Sequence, residues 1–275
     1  MSPVDAAAFD LGPAILFCPA DRPERYSKAA DRADAVILDL EDAVAADSKA
    51  AAREALVATP LDPATTIVRV NAADTDDFAL DLDALRRTYY RFVMLAKATA
   101  VPAGLRDYAI IALCETAAGV LAAPAVAADD AVVALMWGAE DLVASLGGSA
   151  SRFRDGHYRA VALHARSAVL LAAGAHGKAA IDAVHLDIPD AAGQGAEARD
   201  AVASGFAATA CIHPSQVDVI REAYAPTAEE LDAARAVLAA AEGERGVFQF
   251  KGRMVDEPVL RHARRVIERA PYDEE

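Results

Sequence analysis

The sequence has few cysteines and no excess of positive charge. Its 275 residues include three cysteines, which lie far apart and form none of the paired spacings of a zinc site. The formal net charge is −15, which argues against a nucleic-acid partner because such a partner requires a basic face. The same charge argues against docking on anionic membranes. An anionic substrate would therefore need local cations that overcome an unfavourable overall field.

Long apolar runs and glycine-rich loops are also missing. No apolar run approaches the ~20 residues of a membrane span. The first ten residues lack the basic start and apolar stretch of a signal peptide, so we expect a cytosolic protein with reduced cysteines. No glycine-rich fingerprint follows the first apolar run, and a doubly wound open sheet therefore lacks support.

Hydrophobic residues make up 55% of the chain and gather in eight short runs, separated by alanine-rich amphipathic segments. The runs are nearly continuous in Val, Ile and Leu, which is typical of parallel strands covered on both faces. Eight such units in a chain of this length predict one (β/α)8 barrel. We place the strands at Ala14–Cys18, Ala35–Leu40, Thr66–Val70, Phe92–Leu95, Ile110–Cys114, Val132–Trp137, Ala183–Leu186 and Thr209–Ile212.

The last fifty residues lie outside the eight repeats. We expect residues 1–225 to form the barrel and residues 226–275 a helical extension that packs on the barrel or on a neighbouring subunit. Thr227 and Glu230 have the spacing of a capping box, which predicts a helix from this point to about Glu242. A final helix is predicted from Glu257.

Polar residues follow nearly every predicted strand. In a (β/α)8 barrel these carboxyl ends form the active-site face. Carboxylates outnumber cations there, and a divalent cation would relieve the imbalance. No Cys/His cluster is present, so a hard, oxygen-ligated metal such as magnesium is expected. The residues are Asp21, Arg22, Asp39, Glu41, Asp42, Arg69, Asn71, Lys97, Glu115, Glu140, Asp141, His185, Asp187 and His213.

Two carboxylates of this set have equally good alternative roles. Asp39 and Glu41 either take part in the chemistry or hold Arg69 and Lys97 in a structural ion-pair network.

The exposed cations after the first run also have two interpretations. Arg22, Arg25 and Lys28 either meet the phosphates of a coenzyme or form a solvated helix face.

Seven segments, taken in order, resemble the HpcH/HpaI aldolase and citrate lyase family. The similarity is greatest to its citrate lyase β-subunit-like branch, and it covers nearly the whole chain. The segments are Leu16–Arg25, Val36–Val44, Val68–Asn71, Leu113–Ala117, Trp137–Leu142, Cys211–Gln216 and Gly252–Asp256.

This resemblance implies a magnesium-dependent carbon–carbon lyase. Such an enzyme cleaves a β-hydroxyacyl thioester, usually of coenzyme A, to an acyl thioester and an α-keto acid, or runs the reverse Claisen-type condensation. It implies that Glu115 and Asp141 hold magnesium and that Arg69 contacts substrate oxygens. It also implies that Asp256 of a neighbouring subunit is an acid/base, in a trimer or dimer of trimers.

The remaining expectations complete this site. Glu41 joins Arg69 and Asp256 in the expected catalytic set. Glu115 and Arg69 contact the substrate, and backbone N–H groups of Gly138, Ala139 and Glu140 bind its carboxylate where the next helix begins. Three alternatives stay open: an aldolase for free hydroxy-keto acids, an acyl-CoA thioesterase on the same scaffold, and a partner-dependent citrate lyase β-type subunit.

Overall fold

Eight parallel strands close into a barrel in chain order, with β1 paired to β8. The computed structural model describes residues 9–244 and 246–270. The predicted (β/α)8 barrel with C-terminal helices is confirmed. The strands are β1 Ala14–Pro19, β2 Ala35–Asp39, β3 Thr66–Val70, β4 Phe92–Leu95, β5 Ala109–Cys114, β6 Val132–Trp137, β7 Ala179–Asp182 and β8 Ala208–Cys211.

Helices follow most strands at the amphipathic segments. The connection after β4 contains only a 3-10 helix, Ala103–Leu105, where Pro102 and Gly104 disfavour a longer helix. Another 3-10 helix, Pro23–Arg25, leads into α1. The α-helices of this part are α1 Tyr26–Arg32, α2 Lys49–Ala58, α3 Asp76–Leu85, α4 Ala117–Ala127, α5 Ala139–Ser145, α6 Ala160–Ala175, α7 Ala191–Ser204 and α8 Ser215–Tyr224.

The predicted position of the seventh strand is wrong. The strand lies at Ala179–Asp182, four residues before the predicted run Ala183–Leu186. Alanine has low strand propensity, so the sequence pattern favoured the Val-His-Leu segment that follows. Pairing with β6 decides the position, because Ala179 and Ala180 lie opposite Ala134 and Leu135. His185 and Asp187 therefore lie beyond the strand, and Asp182 is the polar residue at its carboxyl end.

The interior of the barrel is filled by alternate residues of each strand. Ile37, Ile67, Met94, Ile111 and Ile181 all belong to one buried apolar cluster. Successive strand residues point to opposite faces, so the next residues on this inward face lie two positions further along each strand. Those positions form the mouth of the barrel at the carboxyl ends.

The chain divides into two compact units, Met1–Ile220 and Arg221–Glu275. The second unit contains α9 Ala228–Ala241, a hairpin of β9 Phe248–Phe250 and β10 Arg253–Val255, and α10 Glu257–Glu268. The predicted capping box at Thr227 and Glu230 is present, and α9 ends within one residue of the expected position. Among the helices that the structure describes, none has the length and apolar character needed to cross a bilayer.

Candidate active site

A cavity of about 230 Å³ opens at the carboxyl ends of the strands. Its polar wall, here called the charged arc, comes from the β2 to β6 side and consists of Asp39, Asp42, Arg69, Glu115, Glu140 and Asp141. Its other wall, the apolar arc, comes from β7, β8 and β1 and consists of Phe17, Ala183, Val184, Leu186 and Ile212. Leu113 and Met136 of the barrel core form the floor between the two walls and also line the cavity. Three residues of the charged arc continue the inward faces of β2, β3 and β5, namely Asp39, Arg69 and Glu115.

Arg69 is the central cation of the charged arc. Its Nε and Nη2 donate to the two oxygens of Asp39 at 2.7 and 2.5 Å, and its Nη1 lies 3.0 Å from Glu41 Oε2. The guanidinium carbon lies 4.9 Å from the centre of the Phe17 ring. Burial opposes the charge, but the charge and hydrogen bonds of Asp39 raise the pKa of Arg69. The guanidinium is therefore charged and held in one orientation at the cavity wall.

The carboxylate of Asp39 accepts four hydrogen bonds. Besides the two bonds from Arg69, its carboxylate accepts from the backbone N–H of Glu41 at 2.9 Å and of Ala43 at 3.1 Å. Four donors on two oxygens leave the carboxylate little lone-pair capacity for a substrate. The geometry favours the ion-pair interpretation of Asp39.

Glu41 lies behind Arg69, between two cations. Its Oε2 contacts Arg69, and its Oε1 pairs with the ammonium group of Lys97. Burial raises the pKa of Glu41, while Arg69 and Lys97 lower it. Glu41 is not one of the described residues that line the cavity.

Glu115 is the most strongly perturbed carboxyl group of the charged arc. It is 2% exposed, and its Oε1 accepts the backbone N–H of Lys97 at 3.1 Å. Its pKa is raised to about 8, mainly by burial; Arg69 opposes the shift, while Asp141 and Glu41 add to it. An anionic Glu115 therefore requires a nearby cation that the protein side chains supply only in part.

Gly138 makes room for Glu115 at the next strand. A Cβ at this position would lie 2.9 Å from Glu115 Cβ and 3.2 Å from its Oε2. The same glycine is the N-cap of α5, and no side chain caps that helix. The first N–H groups of α5, at Ala139 and Glu140, lack intrahelical acceptors and line the cavity with Asp141.

The structure brings together most of the predicted site. Arg69, Glu115, Gly138, Ala139, Glu140 and Asp141 all line one cavity. The side chain of Glu140 points to Ser151, whose hydroxyl donates to its Oε1 at 2.5 Å. This bond engages one oxygen of the Glu140 carboxylate.

The predicted coenzyme-binding cations lie near the barrel mouth but outside this cavity. Arg22, Arg25 and Lys28 are exposed on the 3-10 helix and α1, directly after β1. Arg22 lies 3.5 Å from Asp21, and Arg25 lies 3.9 Å from Glu24. These loose, solvated pairs cost little to exchange for phosphate contacts.

Asp256 belongs to the second unit, and the structure shows its local role. Its side chain accepts the backbone N–H of Val259 at 3.3 Å and caps α10. The assignment of Asp256 to a neighbouring subunit's site stays a prediction.

One polar cluster at the barrel mouth was missed by sequence reasoning. Asp182, at the end of β7, accepts from Trp137 Nε1 at 2.6 Å and from Arg166 Nη2 at 2.8 Å. This cluster fixes Trp137, which also lines the cavity. The short run Ala-Ala-Ile-Asp after Gly177 and Lys178 could have indicated the strand that ends at Asp182, but its alanines have low strand propensity.

His185 was predicted to lie within the seventh strand. It lies instead in the loop after β7, with its Nδ1 3.0 Å from Glu197 Oε2, and Glu197 in turn pairs with Arg152. The predicted position is wrong because the strand ends at Asp182.

The fold and this cavity define an α/β-barrel enzyme with an acidic site at the carboxyl ends of its strands. Two family models match the chain: the HpcH/HpaI aldolase/citrate lyase model over residues 14–214, and a model for C–C bond lyases of the TIM-barrel fold over residues 171–273. The chain belongs to the HpcH/HpaI aldolase/citrate lyase family. It is an enzyme of the carbon–carbon lyase type.

Two curated relatives align over nearly the whole chain. A citrate lyase subunit beta-like protein of Mycobacterium tuberculosis is 59% identical over 263 residues, covering 94% of this chain and 96% of the relative. A (3S)-malyl-CoA thioesterase of Cereibacter sphaeroides is 33% identical over 273 residues, covering 93% of each.

Two solved structures from M. tuberculosis, one of the protein CitE and one of a citrate lyase beta subunit, show the same fold. One, in complex with magnesium, acetoacetate and coenzyme A, is 58% identical with a TM-score of 0.91, covering 96% of this chain and 99% of that chain. Another, with oxaloacetate and magnesium, is 58% identical with a TM-score of 0.76, covering 80% and 99%.

Proposed function

We propose that this enzyme cleaves a β-hydroxyacyl-CoA thioester to an acyl-CoA and an α-keto acid, with magnesium as its cofactor, or forms the thioester by the reverse condensation. One observation carries the proposal: the carboxylates Glu115, which is buried, and Asp141 lie beside Arg69 at the same cavity wall. The relatives support it, since a solved structure at 58% identity contains magnesium, a keto acid and coenzyme A.

The residues present fit a magnesium ion. Glu115 and Asp141 supply two hard carboxylate oxygens, and magnesium is typically held by one or two carboxylates plus water and substrate. In the part of the chain that the structure describes, no group of three or more His, Cys, Asp or Glu residues could hold a metal alone. Substrate oxygens would complete the coordination. When bound, the ion would draw electron density from the carbonyl at the bond that breaks.

The chain's own groups then orient the keto acid. Arg69 donates two N–H groups to Asp39 and directs Nη1 to Glu41, which leaves two of its five N–H groups for substrate oxygens at the cavity wall. The N–H groups at the start of α5 offer donors to the keto-acid carboxylate. Both contacts place the carbon–carbon bond against the charged arc, where negative charge develops.

The thioester end is placed over the apolar arc. A cavity of about 230 Å³ is smaller than the roughly 300–1,000 Å³ of sites that enclose a drug-sized ligand, so only the reacting end of a coenzyme A thioester fits inside. The phosphates would remain outside, where Arg22, Arg25 and Lys28 are exposed after β1. These cations offset the acidic field of the protein.

Cleavage also requires a balanced proton transfer. The β-hydroxyl loses its proton as the carbonyl forms, and the enolate carbon of the departing thioester gains one. We propose Asp256 of a neighbouring subunit for this acid–base step. Mixing inactive Asp256→Ala subunits with inactive Arg69→Ala subunits should restore part of the activity after subunit exchange. No recovery despite proven exchange would leave Asp256 a helix cap.

The deciding experiment uses the purified chain alone. Acetyl-CoA or propionyl-CoA is mixed with glyoxylate, pyruvate or oxaloacetate, and products are identified by mass spectrometry. We expect a β-hydroxyacyl-CoA to form with magnesium and not with a chelator. Keto acids with one carboxylate should react best, because Arg69 is the sole cation among the described residues that line the cavity. No product from any pair would contradict the proposal and favour a partner-dependent subunit.

A thioesterase is the second candidate, supported by the 33% identical malyl-CoA thioesterase. Hydrolysis would release free coenzyme A without a keto acid. A thiol assay in the same reactions separates the two activities. Turnover of free hydroxy-keto acids without any thioester would instead indicate an aldolase.

A further inference from the structure

Lys97 occupies an unusual position beside the charged arc. Its backbone φ is +51°, and only one other non-glycine residue in the described chain, Lys251, has a positive φ. Lys251 lies in the turn between β9 and β10, beside Gly252, where such a conformation is ordinary. Lys97 instead follows β4 between the buried residues Ala96 and Ala98.

The surrounding structure holds Lys97 in this conformation. The N–H of Ala96 donates to Val70 O at 3.3 Å, and the N–H of Ala98 donates to Leu113 O at 2.9 Å. Gly119 on α4 leaves space for this segment, since a Cβ there would lie 2.8 Å from Ala98 O. A left-handed residue that is fixed on both sides costs stability and is retained where it serves a function.

In this conformation Lys97 makes one contact through its backbone and others through its side chain. Its backbone N–H donates to Glu115 Oε1 at 3.1 Å. Its ammonium group pairs with Glu41 and lies 3.3 Å from Asp42 Oδ2. Glu41 in turn contacts Arg69, so charges alternate from Asp39 through Arg69 and Glu41 to Lys97.

We propose that Lys97 is a positioning residue that sets both halves of the site. Its backbone N–H fixes Glu115, and its ammonium group fixes Arg69 through Glu41. The inference rests on the proposed function for the roles of Glu115 and Arg69. Lys97 does not line the cavity, and it acts on the site through Glu115 and Glu41. Its looser contact with the exposed carboxylate of Asp42 has no part in the proposal.

The side-chain part is tested with a double-mutant cycle. Lys97→Met should lower kcat/KM about thirtyfold, mainly through KM for the keto acid, and Lys97→Arg should restore most of it. In a Glu41→Gln background, Lys97→Met should cause no further loss, because its effect passes through Glu41. Additive losses, or an unchanged Lys97→Met enzyme, would overturn this part.

Two controls keep the cycle interpretable. Arg87→Met removes a cation from an exposed pair with Glu54 and should leave activity unchanged. The same cycle is measured on the free energy of unfolding, which requires no turnover. Coupling between Lys97 and Glu41 in stability, with an inactive wild type, would mean that the proposed function failed while the contact was real.

The backbone part is tested by magnesium calorimetry on Lys97→Gly and Lys97→Val. Both lack the ammonium group, but glycine adopts a φ of +51° freely whereas β-branched valine does not. Lys97→Gly should bind magnesium as the wild type does. Lys97→Val should bind at least tenfold more weakly, because its N–H moves away from Glu115. Equal dissociation constants for the two variants would overturn this part.

Discussion

The two walls of the cavity differ in almost every physical property. The charged arc contains the buried ions Asp39, Arg69 and Glu115, and Arg69 is held by Asp39 and, from behind, by Glu41. The apolar arc has no charge, and Leu186 and Ile212 remain partly exposed to solvent. This difference supports the proposal that one cavity binds two ends of a substrate, with a polar end at the fixed charges and an apolar end at the apolar arc.

The largest effect is expected from removing one charge of the charged arc. Glu115→Gln keeps the size of the side chain but loses the anion, so magnesium affinity should collapse and kcat/KM fall about 1,000-fold. Calorimetry measures the first quantity and steady-state kinetics the second. The matched control, Glu54→Gln, changes an exposed carboxylate and should be silent. A Glu115→Gln enzyme with normal magnesium affinity would contradict the assignment.

The next effect tests geometry rather than charge. Arg69→Lys keeps a cation but loses the planar fork that grips both oxygens of Asp39, so kcat/KM should fall about 100-fold. Arg87→Lys is the control, because Arg87 makes the same two-bond contact with Glu54 at the surface, at 2.8 and 2.9 Å. A fully active Arg69→Lys enzyme would show that Arg69 has only a structural role.

A third prediction concerns pH. Since burial raises the pKa of Glu115 to about 8 from an ordinary 4.5, magnesium binding must displace a proton below that pH. Affinity should therefore rise about tenfold per unit up to about pH 8, as measured by calorimetry in buffers of different ionisation enthalpy. A dissociation constant that does not change between pH 6.5 and 8.5 would contradict it.

The stability of the metal-free protein should depend on pH in the opposite direction to its magnesium affinity. Below pH 8 folded, metal-free Glu115 keeps a proton that the unfolded chain has already lost, so stability should fall as pH rises from about 4.5 to 8. Thermal unfolding without metal measures the slope, and Glu115→Gln should flatten it.

The smallest effect is expected on the apolar arc. Leu186→Ser removes part of a half-exposed apolar surface, so KM for the thioester should rise on the order of fivefold while KM for the keto acid stays unchanged. Leu171→Ser, an exposed leucine of α6 outside the cavity, should change neither. An equal rise in both constants would show that the two walls do not divide the substrate as proposed.

Much of the candidate site could be predicted because its residues abut strand ends. The ends of β5 and β6 were placed within one residue, and this placed Glu115 and Asp141 at the same face of the barrel. The position of β7 could not be predicted, since its alanines carry no strand signal and only pairing with β6 selects them. The backbone contact of Lys97 with Glu115 was also not predicted, because it accompanies a positive φ at Lys97 that the sequence does not indicate.

Apolar runs and the polar residues after them are local features, so the sequence predicts eight barrel strands and an acidic barrel mouth. Which charges face the cavity and which face one another depends on how strands that are distant in the chain meet. Both faces of these strands are apolar, so the sequence carries no alternation to tell the inward face from the outward one. Barrel closure sets that choice, and it places Arg69 and Glu115 at the cavity wall and Glu41 behind them.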